Sequence, residues 1–225
     1  MAGYFKSSDF MQECHRQGSR VILLTNEKLL DANWPRDSID EIHAMPDLYN
    51  HEGGIFASCS LERGSPEEPI LTSLNDKVIT QFGLVQGVTH TEFIRGRDDG
   101  EFYFLETAAR VGGAHIAELV EAAAGINLWA EWAKLELAGQ VKPYRLPELR
   151  QDYAGIIISL ARQESPDTTA YDDPEIVWRL DKRHHAGLIV RSDSWQRVNT
   201  LIGSYIERFR TDFHASMPVP DRPSD

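Results

Sequence analysis

Two glutamates, Glu92 and Glu106, mark the stretch of sequence whose residue types and spacing best indicate chemistry. They lie at nearly equal distances along the chain from Asp99, the centre of an Asp-Gly turn. If the flanking runs pair as a β-hairpin, the two carboxylates face each other, with Cβ atoms about 4.5–5.5 Å apart. Like charges so placed are destabilising, so a fold that keeps them needs a raised carboxyl pKa, a cation between them, or solvent on that face.

The residues around the two glutamates favour the cation. By alternation, Phe102 and Phe104 share the face of Glu106, which predicts that this face is covered rather than solvated. A pair of carboxylates on a covered face suits Mg²⁺, which takes one or two protein carboxylates and keeps its other positions for water and phosphate. His90 shares the face of Glu92, where it either orients that carboxylate, contacts a nucleotide or packs beside the hairpin.

An arginine and a pair of glycines follow the second glutamate. Arg110 offers a planar fork of donors for a carboxylate or phosphate. Gly112 and Gly113 precede a predicted helix, where backbone N–H groups can approach an anion. Each feature is weak by itself, but the order acid, turn, acid, arginine, Gly-Gly, helix predicts a metal–phosphate site with an anion-binding loop beside it.

The elements that position these residues follow from hydrophobic periodicity and turn residues. A strand is predicted at residues 53–61. An amphipathic helix is predicted after Ser65, with a capping box and apolar residues at i+4 steps up to Phe82. The remaining elements of this central region are the hairpin strands (88–96 and 101–106) and two helices (115–124 and 127–138, the second ended by Gly139).

The two ends of the chain also indicate mixed α/β structure. The first fifty residues predict a helix from Ser7 or Ser8 to Gly18, a short parallel-type strand at 20–25, and a second strand at 39–45. After Pro143 and Pro147 come three further strands, a helix at 194–213 and a tail predicted to be disordered. The strands are predicted in the segments YAGIIISLAR, EIVWRL and GLIVRS.

Composition excludes several classes of protein. The chain has 225 residues, 41% hydrophobic and 26% charged, which excludes a disordered, collagen-like or coiled-coil chain. Its net charge of −12 disfavours binding to nucleic acid or to an anionic membrane. Two cysteines form no disulfide framework, and no signal-peptide or membrane-spanning run is evident, so a cytoplasmic protein is expected.

The segment HTEFIRGRDDGEFYFLETAARVGGAHIAELVEAAAGINL closely resembles the C-terminal half of the ATP-grasp fold, in its carboxylate–amine ligase branch. The resemblance covers roughly residues 53–139. It implies an α/β fold with α+β elements and three segments. These are a truncated Rossmann-like preATP-grasp segment (1–50), the C-terminal half of an ATP-grasp domain (51–139) and a small α+β subdomain (140–225).

The resemblance also implies a reaction and its ligands. ATP would activate a small carboxylate as an acyl phosphate, which an amine or a thiol would then attack. Nucleic-acid and membrane partners are not expected, and a homodimer is among the oligomeric states considered. The resemblance implies that Glu92 and Glu106 are ligands for Mg²⁺, with Mn²⁺ as an alternative. It implies that Arg110 faces the phosphoryl group. The residues implied to contact the nucleotide or the substrate are His90, Gly112, Gly113 and His115.

The chain departs from the family pattern in two places. Ala108 stands where many ATP-grasp enzymes have an asparagine ligand, although a small residue is common in this branch. No sequence between residues 50 and 53 could encode the central lobe that carries the phosphate-binding lysine and the glycine-rich loop over ATP. The alternative hypothesis is therefore a non-catalytic remnant that binds Mg²⁺ weakly or not at all and acts through the helical surface near Trp129 and Trp132.

Other candidate residues carry weaker signals. Eight histidines lack zinc-type spacing, and the adjacent His184 and His185 point to opposite faces of a strand. The basic run at residues 182–185 could meet a phosphate or carboxylate, but a solvated turn is the favoured reading. Trp129 and Trp132, three residues apart on a helix, are most simply core or interface residues.

Overall fold

The structure, a computed structural model, describes most of the chain: residues 8–18, 20–26, 29–45, 54–141 and 143–215. Two regions discussed above lie outside these ranges. They are the junction at residues 46–53, where the central lobe of the family would be expected, and the tail predicted to be disordered.

The first compact unit comprises Met1–Glu52 and Met217–Asp225. Its described part contains helix α1 (Ser8–Arg16) and two parallel strands, β1 (Ile22–Asn26) and β2 (Glu41–Met45). The predicted order of one helix and two strands is confirmed. These elements bury a small apolar cluster made of Met11, Val21, Leu23 and Trp34.

The second compact unit, Gly53–Ser216, is built on a four-stranded antiparallel sheet. Its strands lie in the order β3 (Ile55–Cys59), β6 (Tyr153–Leu160), β8 (His185–Ser192) and β7 (Ile176–Arg179). β3 comes from the predicted segment 51–139, whereas β6, β7 and β8 come from the segment 140–225. These two stretches of sequence therefore share one sheet, and the three-segment division stays a prediction.

Helices cover both faces of this sheet. On one face, α5 (Trp195–Asp212) begins at Ser194, whose hydroxyl accepts a hydrogen bond from the Arg197 N–H. On the other face lies α3 (Ile116–Ala124), which buries Leu119 against β6 and β8. Because both faces are covered, β6 and β8 are apolar at successive positions rather than at alternate ones. The residues of α5 that are buried are Val198, Leu201, Ile202, Tyr205 and Phe209.

Two helices of this unit differ from their predictions in detail. α2 (Glu67–Gln81) forms as predicted, but none of its residues is buried, and Phe82 just after it is 68% exposed. Its Ser65 makes no cap; instead, Glu68 accepts the Gly64 N–H. α4 (Leu128–Val141) runs through Gly139, where the sequence predicted its end.

The hairpin completes the second unit with β4 (His90–Arg95) and β5 (Phe102–Ala108). The predicted α/β fold class, with its α+β elements, is confirmed. None of the described helices has the length and apolar character needed to cross a membrane.

Candidate functional site

The hairpin pairs its strands in the register that the sequence predicts. Glu92 lies directly opposite Glu106, and the neighbouring Thr91 and Thr107 hydroxyls are 2.8 Å apart. The turn is closed by Asp99, whose carboxylate accepts the Glu101 N–H at 3.0 Å and the Tyr103 hydroxyl at 2.6 Å. The Tyr103 hydrogen bond, followed by that of the Glu101 amide, lowers the pKa of Asp99.

A β-bulge changes the expected distribution of side chains between the two faces. Glu92 pairs with Glu106 but Phe93 pairs with Phe104, so Leu105 is an additional residue of β5. Paired residues share a face and consecutive residues alternate, which puts the glutamates on one face and the two phenylalanines on the other. The prediction that Phe104 shares a face with Glu106 is therefore wrong.

The two carboxylates are partly solvated. Glu92 retains 42% of its side-chain exposure and Glu106 is exposed, so the predicted covered face is also wrong. Glu106 makes no hydrogen bond or ion pair with any residue that the structure describes. The ring of His90 lies beside Glu92, but its Nδ1 is 3.6 Å from Oε1, too far for a hydrogen bond. That nitrogen is shielded from solvent and has no hydrogen-bond partner among the described residues.

These observations fit a divalent cation held by two carboxylates. Glu92 and Glu106 have free lone pairs, share a strand face and lack a competing arginine or lysine. Within the described ranges, no group of three or more His, Cys, Asp or Glu side chains could hold a metal. Two carboxylates alone match Mg²⁺, which completes its shell with water and phosphate oxygens, better than they match zinc.

Arg110 lies on the surface at the end of the hairpin. Its guanidinium donates one hydrogen bond, at 2.9 Å, to the carbonyl of Val111. Val111 itself is only 1% exposed and anchors the loop to the unit. The remaining donors of Arg110 make no hydrogen bond to described residues, so they are available to an anion.

The glycine loop (residues 112–115) joins the hairpin to α3. A side chain at Gly112 would come within 3.0 Å of the His90 ring, so the absence of a Cβ lets the loop lie against the hairpin. Ala114 and His115 follow with φ angles of 50° and 60°, in the left-handed region that non-glycine residues rarely adopt. Strained backbone of this kind concentrates at functional sites.

A cavity of about 470 Å³ opens beside the glycine loop. Three of the predicted site residues, Gly112, Gly113 and His115, line it, and Glu92, Glu106 and Arg110 do not. The His115 ring rests 4.9 Å from the ring of Trp178, and its Nδ1 lies 3.3 Å from Glu118. The apolar part of the wall is formed by Phe56, Trp129, Ile158 and Leu180.

Two further residues of this cavity come from the turn between β7 and β8. Lys182 and His185 line the cavity, and Lys182 is exposed beside a turn, as the favoured reading of the sequence predicted. His184 adopts a positive φ of 57° and turns the chain back, which places His185 at the start of β8. The sequence signal was the basic run itself, but only the sheet brings it beside residues 112–115.

The tryptophans of α4 also differ in role. Trp129 is 55% exposed and lines the cavity, whereas Trp132 is half-buried and donates its indole N–H to Glu136.

A larger depression of about 700 Å³ lies along α2, but residues of that one helix form its whole lining. No second element brings polar groups toward it, so the cavity beside the glycine loop is the better site.

Scans against protein-family models and curated proteins gave no match. Solved structures do match. An L-amino acid ligase from Bacillus licheniformis superposes with a TM-score of 0.53 at 16% identity, over 73% of this chain and 44% of the ligase. A glycinamide-RNase-transformylase T from Mycobacterium tuberculosis superposes with a TM-score of 0.51 at 14% identity, over 70% of this chain and 46% of that one.

The likeness concerns the fold. At 16% and 14% identity the two matches show a shared architecture, in agreement with the fold that the hairpin and the glycine loop predicted. The chain spans less than half the length of either relative.

Proposed function

We propose that this chain carries the metal- and substrate-binding part of an ATP-dependent ligase. The reaction would join a small carboxylate to an amine, or to a thiol, in two steps. A carboxylate oxygen attacks the γ-phosphorus of ATP and the bond to the bridging oxygen breaks, releasing ADP. The amine nitrogen then attacks the acyl carbon, inorganic phosphate leaves, and the nitrogen loses a proton.

The observation that carries the proposal is the direct pairing of Glu92 with Glu106, one loop away from the cavity beside residues 112–115. The two carboxylates would hold Mg²⁺, or Mn²⁺ in its place. When bound with ATP, the ion neutralises charge on the phosphate oxygens. His90 would orient Glu92, because its ring lies beside that carboxylate and against Gly112.

The other residues act on the substrate. Arg110 keeps free donors and would bind the phosphoryl oxygens of the acyl phosphate. Gly112 and Gly113 allow a close approach to the backbone, and His115 forms the wall of the cavity next to them. ATP, a small carboxylate and an amine acceptor are therefore the proposed partners. A reducing cytoplasm, which supplies ATP and suits two free cysteines, is the proposed compartment.

A second candidate function is a binding protein without catalysis. It is favoured by the lack of sequence for a central lobe between residues 50 and 53. Such a chain would bind Mg²⁺ weakly or not at all. It would associate with a full-length relative through the surface around Trp129, which is largely exposed.

ADP release distinguishes the two candidates. Wild-type protein is incubated with Mg·ATP, a mixture of small carboxylates and an amine, and ADP is measured with and without the carboxylates. The ligase predicts carboxylate-dependent ADP release that Glu106→Gln abolishes. Glu101→Gln, which changes an exposed glutamate of the same hairpin, is the control and keeps the activity. ADP release that is absent, or unaffected by Glu106→Gln, contradicts the ligase proposal.

A further inference from the structure

The lining of the cavity beside the glycine loop combines one lysine with several large apolar side chains. We infer that the cavity binds a small carboxylate with an aromatic or branched apolar body, and that Lys182 determines its specificity for the anionic group. The inference names the substrate class of the proposed ligase and in that respect rests on the proposed function. Binding itself needs neither ATP nor metal, so it can be tested separately.

The size of the cavity suits a small molecule. Its volume of about 470 Å³ falls within the usual range for small-molecule sites, about 300–1,000 Å³. It is assembled from the glycine loop, α3, α4 and the end of the β7 strand with the start of β8. A site built from several elements of one compact unit is better defined than a depression along a single helix.

The lining of the cavity includes one side chain that would hold an anion. Lys182 has no carboxylate partner among the residues that the structure describes. The acid in the lining, Glu118, lies 3.3 Å from the Nδ1 of His115 and makes no ion pair with Lys182. The Nδ1–H of His185 is used on the Arg183 carbonyl, at 2.9 Å, so Lys182 is the residue of the lining that would bind a carboxylate.

Much of the lining is apolar and includes large exposed side chains. Trp129 is 55% exposed and Phe56 is 39% exposed, and both line the cavity with Ile158 and Leu180. An apolar ligand body that covers these side chains removes their surface from water, which is favourable. Trp129 also offers a flat ring face for stacking.

The apolar part of the lining favours an organic carboxylate over inorganic phosphate. A free phosphate would leave Trp129 and Phe56 exposed to water. A carboxylate on an aromatic or branched body pairs with Lys182 and also covers these apolar side chains.

Phenylacetate and its uncharged analogue phenylacetamide test the inference directly. Each is titrated calorimetrically into the full chain, without ATP or Mg²⁺. Phenylacetate is expected to bind more tightly than phenylacetamide. Lys182→Met removes the charge but keeps the apolar stem, and should weaken phenylacetate about tenfold while leaving phenylacetamide unchanged. Lys77→Met, on the exposed face of α2, is the matched control and should change neither affinity.

The inference would be overturned if phenylacetate did not bind, or if it bound no more tightly than phenylacetamide. It would also be overturned if Lys182→Met changed the affinity for phenylacetate no more than Lys77→Met does. Inorganic phosphate that competes with phenylacetate and binds more tightly than it would have the same meaning. A further titration with Mg·ATP separates the two proposals. Phenylacetate binding without Mg·ATP binding contradicts the ligase but keeps the carboxylate site, and the reverse result contradicts the carboxylate site alone.

Discussion

Glu92 and Glu106 are direct cross-strand partners, and the β-bulge at Leu105 turns them away from the phenylalanines of their own hairpin. Neither carboxylate has a hydrogen-bonded cation among the described residues. Two like charges that face each other in this way lower the stability of a hairpin. Partial exposure to solvent reduces this cost, and a divalent cation bound between the two carboxylates would remove it.

The first prediction concerns this repulsion. Without Mg²⁺, Glu106→Gln should raise the stability of the second unit slightly, by about 0.2–1 kcal/mol, because it removes one of two facing charges. Added Mg²⁺ should stabilise the wild type and have no effect on the variant. Thermal melting with and without Mg²⁺ measures both effects. A variant that responds to Mg²⁺ as the wild type does would show that Glu106 is not a ligand.

A second prediction concerns the backbone of the glycine loop. Ala114 adopts a φ of 50°, which a glycine tolerates without the steric cost that a Cβ imposes. Ala114→Gly should therefore stabilise the protein by about 0.5–1 kcal/mol, even after the greater freedom of glycine in the unfolded chain is counted. Urea denaturation is the measurement, and a lowered midpoint would mean that the left-handed conformation is not maintained in solution.

A third prediction compares two glycines of the second unit. A Cβ at Gly155 would lie 2.5 Å from Ile202 and 2.9 Å from Val198, whereas one at Gly203 would meet nothing within 4 Å. Gly155→Ala should destabilise by about 1–3 kcal/mol, because β6 and α5 must move apart. Gly203→Ala, in an exposed position of α5, should stabilise by about 0.5–1 kcal/mol. If Gly155→Ala and Gly203→Ala changed the free energy of unfolding in urea by the same amount, the packing of α5 on β6 would be contradicted.

A fourth prediction concerns acid stability. Arg197 donates to both carboxylate oxygens of Glu175, at 2.7 and 3.1 Å, and this pairing lowers the pKa of Glu175. The ion pair therefore stabilises the protein at pH values above about 4.3, the pKa of a glutamate in the unfolded chain. This stabilisation is lost as the pH falls through the lower pKa that Glu175 has in the folded protein. Arg197→Gln should reduce the urea midpoint at pH 7, and the difference should disappear in strong acid.

Arg210→Gln is the control for the fourth prediction. Arg210 pairs with Glu207 on the exposed side of the same helix, so its removal should leave the urea midpoint nearly unchanged at either pH. The urea midpoints of Arg197→Gln and the wild type could also differ by the same amount at pH 7 and in strong acid. That result would mean that the ion pair between Arg197 and Glu175 does not contribute to stability.

Local sequence predicted the hairpin and the pairing of Glu92 with Glu106. The turn itself sets a register in which Phe93 faces Phe104, which without a bulge would bring Glu92 opposite Leu105. The observed pairing of the glutamates therefore depends on the bulge, which could not be predicted, because Leu105 and its neighbours fit an unbroken alternation equally well. Only the positions of the hydrogen bonds decide which residue is left unpaired.

The cavity depended on contacts that are distant in sequence. Lys182 and His185 read as a solvated turn because no local pattern indicates what a turn will face once the sheet has formed. The apolar face of α2 was predicted to be buried, since periodicity shows which residues share a face but not whether another element covers it. The glycine loop was found because Gly112 and Gly113 directly follow the hairpin.

Calorimetric titration of Mg·ATP into the wild type and into Glu92→Gln tests the central claim most directly. The ligase proposal predicts micromolar binding to the wild type and a loss of that binding in Glu92→Gln, with Glu101→Gln unchanged. Nuclear Overhauser contacts between Thr91 and Thr107 would confirm in each sample that the hairpin is folded. A folded wild-type hairpin that binds no Mg·ATP would contradict the claim.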